Sequence, residues 1–127
     1  MSFAGGIVSK KGAPKFQKAP CPILLFHGTA DRIVNYKHFG TFRRGLWGSS
    51  YMASRLKKEA SNYSIWRFNG RGHEVASFMS VMWDEEQAFL EKNVMQGIHN
   101  TVDALVDDPS LPGRKARDRT KTADLYK

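Results

Sequence analysis

Residues 22–34 read Pro22-Ile23-Leu24-Leu25-Phe26-His27-Gly28-Thr29-Ala30-Asp31-Arg32-Ile33-Val34. The run from Pro22 to Phe26 is apolar without polar alternation. That is the pattern of a strand covered on both faces, as helices cover a parallel sheet. The run closes on His27-Gly28, and a polar turn to Asp31 follows before the Ile33-Val34 pair. Open α/β sheets collect ligand-binding loops beyond the C-terminal ends of their strands, so this stretch sets the fold class and locates the chemistry.

Toward the N-terminus, residues 2–8 read as one short buried strand with two glycines, beginning one residue after Met1. So abrupt a start marks the chain as expected to be part of something longer. Residues 9–21 are basic and carry Gly12, Pro14 and Pro20. Thirteen residues suffice for a parallel crossover and exceed a tight hairpin. Cys21 reads as a small buried hydrophobe.

Toward the C-terminus, an aromatic and basic stretch from Tyr36 to Trp47 precedes a helix predicted from a Ser49 or Ser50 cap to about Ala60. Met52, Ala53, Leu56 and Ala60 share its buried stripe, while Arg55, Lys57, Lys58 and Glu59 face water. Residues 63–68 read as a third strand near a sheet edge, with Trp66 and Phe68 on one side and Ile65 and Arg67 on the other. A long helix is predicted over 76–96, with Phe78, Met79, Met82, Phe89, Leu90 and Val94 on its apolar face. Asp84, Glu85 and Glu86 favour its N-terminal half, Lys92 its C-terminal end, and Gly97 the C′ position. Residues 101–106 read as a weaker helical stretch that stops before Pro109 and Pro112. The fold class is therefore α/β, a parallel sheet of about three strands flanked by helices. Residues 1–112 form that unit, and 113–127 a basic, frayed tail.

The chain has 127 residues, of which 41% are hydrophobic, enough to fold rather than remain disordered. One cysteine excludes an internal disulfide framework and a multi-cysteine zinc site. No apolar run approaches the roughly 18 residues of a membrane helix. The chain does not open on a positive region followed by a longer apolar stretch, as a signal peptide would, and the compartment is left unassigned. The net charge of +8 resolves into +4 over residues 1–22 and +4 over 113–127. Between them lie ten basic and ten acidic side chains. Charge confined to the two ends does not argue for a nucleic-acid face and leaves only non-specific binding through those ends as a weaker reading.

Two polar clusters follow predicted strands: Gly28-Thr29-Ala30-Asp31, and Gly70-Arg71-Gly72-His73-Glu74. Asp31 and His73 are 42 residues apart with one helix between them, so adjacent parallel strands could bring them together. A carboxylate bonded to imidazole Nδ1–H fixes the tautomer and stabilises the imidazolium formed when Nε2 takes a proton. Asp31 and His73 are the candidate catalytic pair. Nearby, His27 reads as packing or bonding locally at the strand end, and Glu74 as a solvated loop acid. His38 and His99 read as surface histidines.

Residues 22–34 resemble the catalytic-acid strand and turn of the α/β-hydrolase fold, in its esterase, lipase and carboxylesterase-like branch. Gly70-Arg71-Gly72-His73-Glu74 resembles the histidine loop of that family. The resemblance covers residues 2–97 and aligns them with the sixth to eighth strands of the family core. It implies that Asp31 orients and His73 acts as general base in a serine ester hydrolase, with a small ester-type substrate and no cofactor or metal. The family's nucleophile elbow, Gly-x-Ser-x-Gly upstream of the acid, has no counterpart here. Only Ser2 and Ser9 precede Asp31. Gly48-Ser49-Ser50 lacks the second glycine, follows the acid, and begins a helix with no strand read before it. The resemblance thus implies the C-terminal part of a hydrolase, inactive as this chain alone.

Three other readings belong beside it. The chain could be a non-catalytic interaction module that pairs through the open edge of its first strand, with itself or with a missing N-terminal part. A metal site from His27, Asp31 and His73 lacks a compact ligand motif. Phe39, Phe42, Arg43, Arg44, Leu46 and Trp47 mix basic and aromatic residues as single-strand binders do, against the plainer reading of a segment packed on the sheet.

Overall fold

The computed structural model describes residues 1–59 and 61–113. The apolar run around Leu24 forms β3 (Ile23–Gly28) inside a four-stranded parallel sheet. Its neighbours are β1 (Ser2–Phe3) on one side and β6 (Tyr63–Phe68) on the other. Beyond β6 lies β7 (Thr101–Val106). Side chains of β3 alternate between two apolar layers, which is why the strand shows no polar alternation. Leu24 and Phe26 join Phe68, Val75, Phe78, Met82 and Phe89 on one face. On the opposite face Leu25 packs with Tyr63, Ile65 and Met52, Ala53 and Leu56 of α1 (Ser49–Lys58). That is the helical stripe read from the sequence; Ala60 lies outside the described residues, as do residues 114–127 of the tail.

The N-terminal stretch is not one strand. Ala4 adopts a left-handed φ of 51°, held by its N–H donating to the Phe26 carbonyl at 2.7 Å. A non-glycine residue visits that region only when its surroundings impose it. The bend ends β1 and sends the chain into β2 (Gly6–Ser9), part of a second, three-stranded antiparallel sheet with β5 (Gly45–Gly48) and β4 (His38–Gly40). The aromatic and basic stretch supplies the β4–β5 hairpin there, with His38 stacked on Trp47 at 4.5 Å. Phe39 and Phe42 are exposed rather than packed on a sheet. Cys21 is exposed as well, where the sequence reads as buried.

Two further expectations are corrected. Residues 101–106 form a strand, because Thr-Val-Asp-Ala-Leu-Val alternates in burial and finds a parallel partner in β6. Arg67 clamps that pairing with a two-pronged ion pair to Asp103, at 2.6 and 3.0 Å. β6 thus lies one strand in from the edge strand β7, near the sheet edge as expected. The long helix is broken into a 3-10 turn (His73–Ser77), α2 (Trp83–Phe89) and a π turn (Leu90–Met95). Asn62, just before β6, donates to the Asn93 and Ile98 carbonyls at 3.4 and 3.0 Å. A side chain that takes carbonyls in this way widens the helical ladder. Gly97 then ends the element with φ of 66°, as expected of it. Phe78, Met82 and Phe89 are buried, whereas Met79, Leu90 and Val94 of the expected apolar face are exposed. No helix among the described residues is long and apolar enough to cross a membrane.

Candidate functional site

β3 and β6 run parallel in full register, from Ile23 opposite Tyr63 to Gly28 opposite Phe68. Their following loops therefore leave the sheet side by side. The two loops are sewn together: Thr29 N–H donates to the Phe68 carbonyl (3.0 Å), Ala30 N–H to the Arg71 carbonyl (2.9 Å), and Gly70 N–H to Thr29 Oγ1 (2.9 Å). Contact this close requires glycine at position 28. A Cβ there would lie 2.2 Å from the Arg71 carbonyl oxygen and 2.5 Å from that of Gly72.

Sewing the loops brings Asp31 and His73 together. Asp31 is buried, and its Oδ2 accepts from His73 Nδ1–H at 2.9 Å. Its Oδ1 accepts from the backbone N–H groups of Ile33 and Val34, at 2.9 and 3.1 Å. The Ile33-Val34 pair thus serves through its backbone, curling the turn around the carboxylate. Burial pushes the Asp31 carboxyl up, but hydrogen bonds from His27 and His73, with help from Ile33, hold it below its usual value. The His73 side chain keeps 34% exposure. With Nδ1–H committed to Asp31, Nε2 is the nitrogen placed to exchange a proton with a reactant.

Three residues support this pair in ways the sequence did not disclose. His27 is fully buried; its Nε2 lies 2.9 Å from the Val34 carbonyl oxygen and 3.3 Å from Asp31 Oδ2. Its Nδ1 meets Ser49 Oγ at 2.8 Å. Ser49 follows β5 directly and opens α1, so a strand does precede this helix, contrary to the sequence reading. Gly48 carries no side chain because a Cβ would lie 1.9 Å from the Asn35 carbonyl oxygen. Arg71 is buried, and its guanidinium donates to the carbonyls of Asp108, Leu111, Pro112 and Gly113 at 2.9–3.2 Å. It ties the segment after β7 to the histidine loop. A buried arginine meeting backbone carbonyls leaves no motif, because its partners are defined only by the fold.

Among the described residues no cluster of three His, Cys, Asp or Glu side chains could hold a metal ion. His27 and His73 spend their facing ring nitrogens on Asp31 instead. The arrangement can polarise one histidine and keep its orientation. No family model, curated protein or solved structure matches the chain.

Proposed function

We propose that these residues carry the acid and the general base of a serine ester hydrolase of the α/β-hydrolase class, with the nucleophile supplied from outside residues 1–127. The observation that carries this reading is the 2.9 Å bond from His73 Nδ1–H to the buried Asp31 carboxylate, at the C-terminal ends of neighbouring parallel strands. In the complete enzyme a serine Oγ attacks the ester carbonyl while His73 Nε2 takes its proton. The tetrahedral intermediate collapses, and His73 returns that proton to the leaving alcohol. Water then attacks the acyl-enzyme, giving up a proton to His73, and the carboxylic acid departs as the serine is restored. Asp31 keeps the ring in the right tautomer and balances the charge on the imidazolium. Carboxylester substrates fit the carboxylesterase-like character of residues 22–34.

The purified 127-residue chain is expected to show no ester turnover that a serine-directed phosphonate blocks. Rapid, phosphonate-sensitive hydrolysis of p-nitrophenyl acetate by this chain would refute the proposal. A strand followed by Gly-x-Ser-x-Gly in the reading frame upstream of Met1 would support it.

A second reading is favoured by one observation: among the described residues no strand pairs with the outer side of β1. As an interaction module the chain would pair through that edge. Sedimentation at rising concentration then shows a monomer–dimer equilibrium, and a monomer at all concentrations removes this reading.

A further inference from the structure

We propose that His27 is a positioning residue: a neutral ring, protonated at Nε2 and locked in that tautomer by the Ser49 hydroxyl, which fixes the Asp31 carboxylate beneath His73. The geometry assigns the protons. The Val34 carbonyl can only accept, so the His27 nitrogen 2.9 Å away must be protonated, and that nitrogen is Nε2. The same N–H also lies 3.3 Å from Asp31 Oδ2, an electrostatic contact beside the hydrogen bond to Val34. In the proposed neutral ring Nδ1 carries the lone pair, and Ser49 Oγ sits 2.8 Å from it. The serine's one proton has a competing acceptor, the Gly5 carbonyl, but at 3.5 Å. The shorter bond takes it.

Ser49, His27 and Asp31 therefore form a serine–histidine–aspartate chain, yet all three are buried, with exposures of 1%, 0% and 3%. An ester cannot reach Ser49 there, so the chain supports Asp31 instead of reacting. Its effect is on the carboxylate. Oδ1 is held by two backbone N–H groups, and Oδ2 accepts from the outward-facing His73 while the buried His27 N–H lies 3.3 Å away. Rotation of Asp31 away from His73 gives up these contacts. The link from Asp31 to catalysis rests on the proposed function; the tautomer of His27 does not.

Long-range proton–nitrogen NMR of the 127-residue chain tests both parts. In the wild type, His27 is expected to carry its proton on Nε2 alone and His73 to carry one on Nδ1. Ser49→Ala is expected to move the His27 Nδ1 resonance, because its hydrogen-bond donor is gone. In His27→Leu the His73 Nδ1 proton should exchange at least roughly tenfold faster, the ratio for losing one hydrogen bond to a charged group. His27→Gln, whose amide N–H groups can reach the same two acceptors, should restore slow exchange. A His27 proton on Nδ1, or on both nitrogens, overturns the proposal. So does a His73 exchange rate that is the same in His27→Leu as in the wild type. If His27→Leu does not fold, the wild-type tautomer and Ser49→Ala still decide the matter. A wild-type His73 protonated only on Nε2 would overturn the functional reading instead, with the His27 signals still deciding its tautomer.

Discussion

An alanine at position 28 is expected to lower the melting temperature of the chain by roughly 10–20 °C, about 2–3 kcal/mol of overpacking in a domain of this size. The added methyl would meet the Arg71 carbonyl oxygen at 2.2 Å, the Gly72 carbonyl oxygen at 2.5 Å and the Arg71 carbonyl carbon at 2.6 Å. All three are backbone atoms, so no side chain can swing aside to relieve the clash. Relief requires the end of β3 to move away from residues 71–72. That movement strains the Ala30 to Arg71 backbone bond and carries Asp31 away from His73. Circular dichroism melting gives the first effect, and loss of the slowly exchanging His73 Nδ1 proton gives the second. A melting temperature within a degree or two of wild type would show that the two loops are not held in the contact described.

The largest effect on activity is expected in the complete enzyme, where Asp31→Asn or His73→Ala should lower kcat roughly 10⁴-fold with little change in KM. His73→Ala removes the base outright. Asp31→Asn keeps the size of the side chain but offers an amide where His73 Nδ1–H needs an acceptor, which turns the ring to the wrong tautomer. Turnover of a short-chain p-nitrophenyl ester measures both; a loss smaller than about tenfold in either would remove the proposed roles. The pH dependence has a definite sign. The Asp31 carboxyl is held below its ordinary value of 3.8, so its contribution to stability is present above that pH. The contribution is lost as pH falls through the depressed value, when the carboxylate protonates.

Much of the site was legible because its residues act close to where they stand in the chain. Ile23 to Phe26 name a two-faced strand, Gly28 to Asp31 a turn, and the order of strands and helices puts the loop of His73 beside it. What stayed hidden depends on partners far away in sequence. Residues 101–106 become a strand through pairing with β6, and six residues are too few for their alternation to decide between strand and helix. Residues 2–8 divide between two sheets because the Phe26 carbonyl captures Ala4, an event no local propensity encodes. The π turn at the end of the long helix is met by Asn62, a side chain outside the helix that bonds the Asn93 carbonyl. Ser49 was set aside as a nucleophile partly for want of a preceding strand, which β5 supplies, and its bond to His27 spans 22 residues and required the fold to be seen.

Arg71 links the histidine loop to a segment that carries none of the chemistry. Its four carbonyl partners lie within residues 108–113, so releasing that segment would remove all four acceptors of the buried guanidinium at once. The histidine loop and the segment after β7 are thus tied through a single side chain. Losing Arg71 would therefore cut the side-chain tie between residues 108–113 and the loop that seats His73.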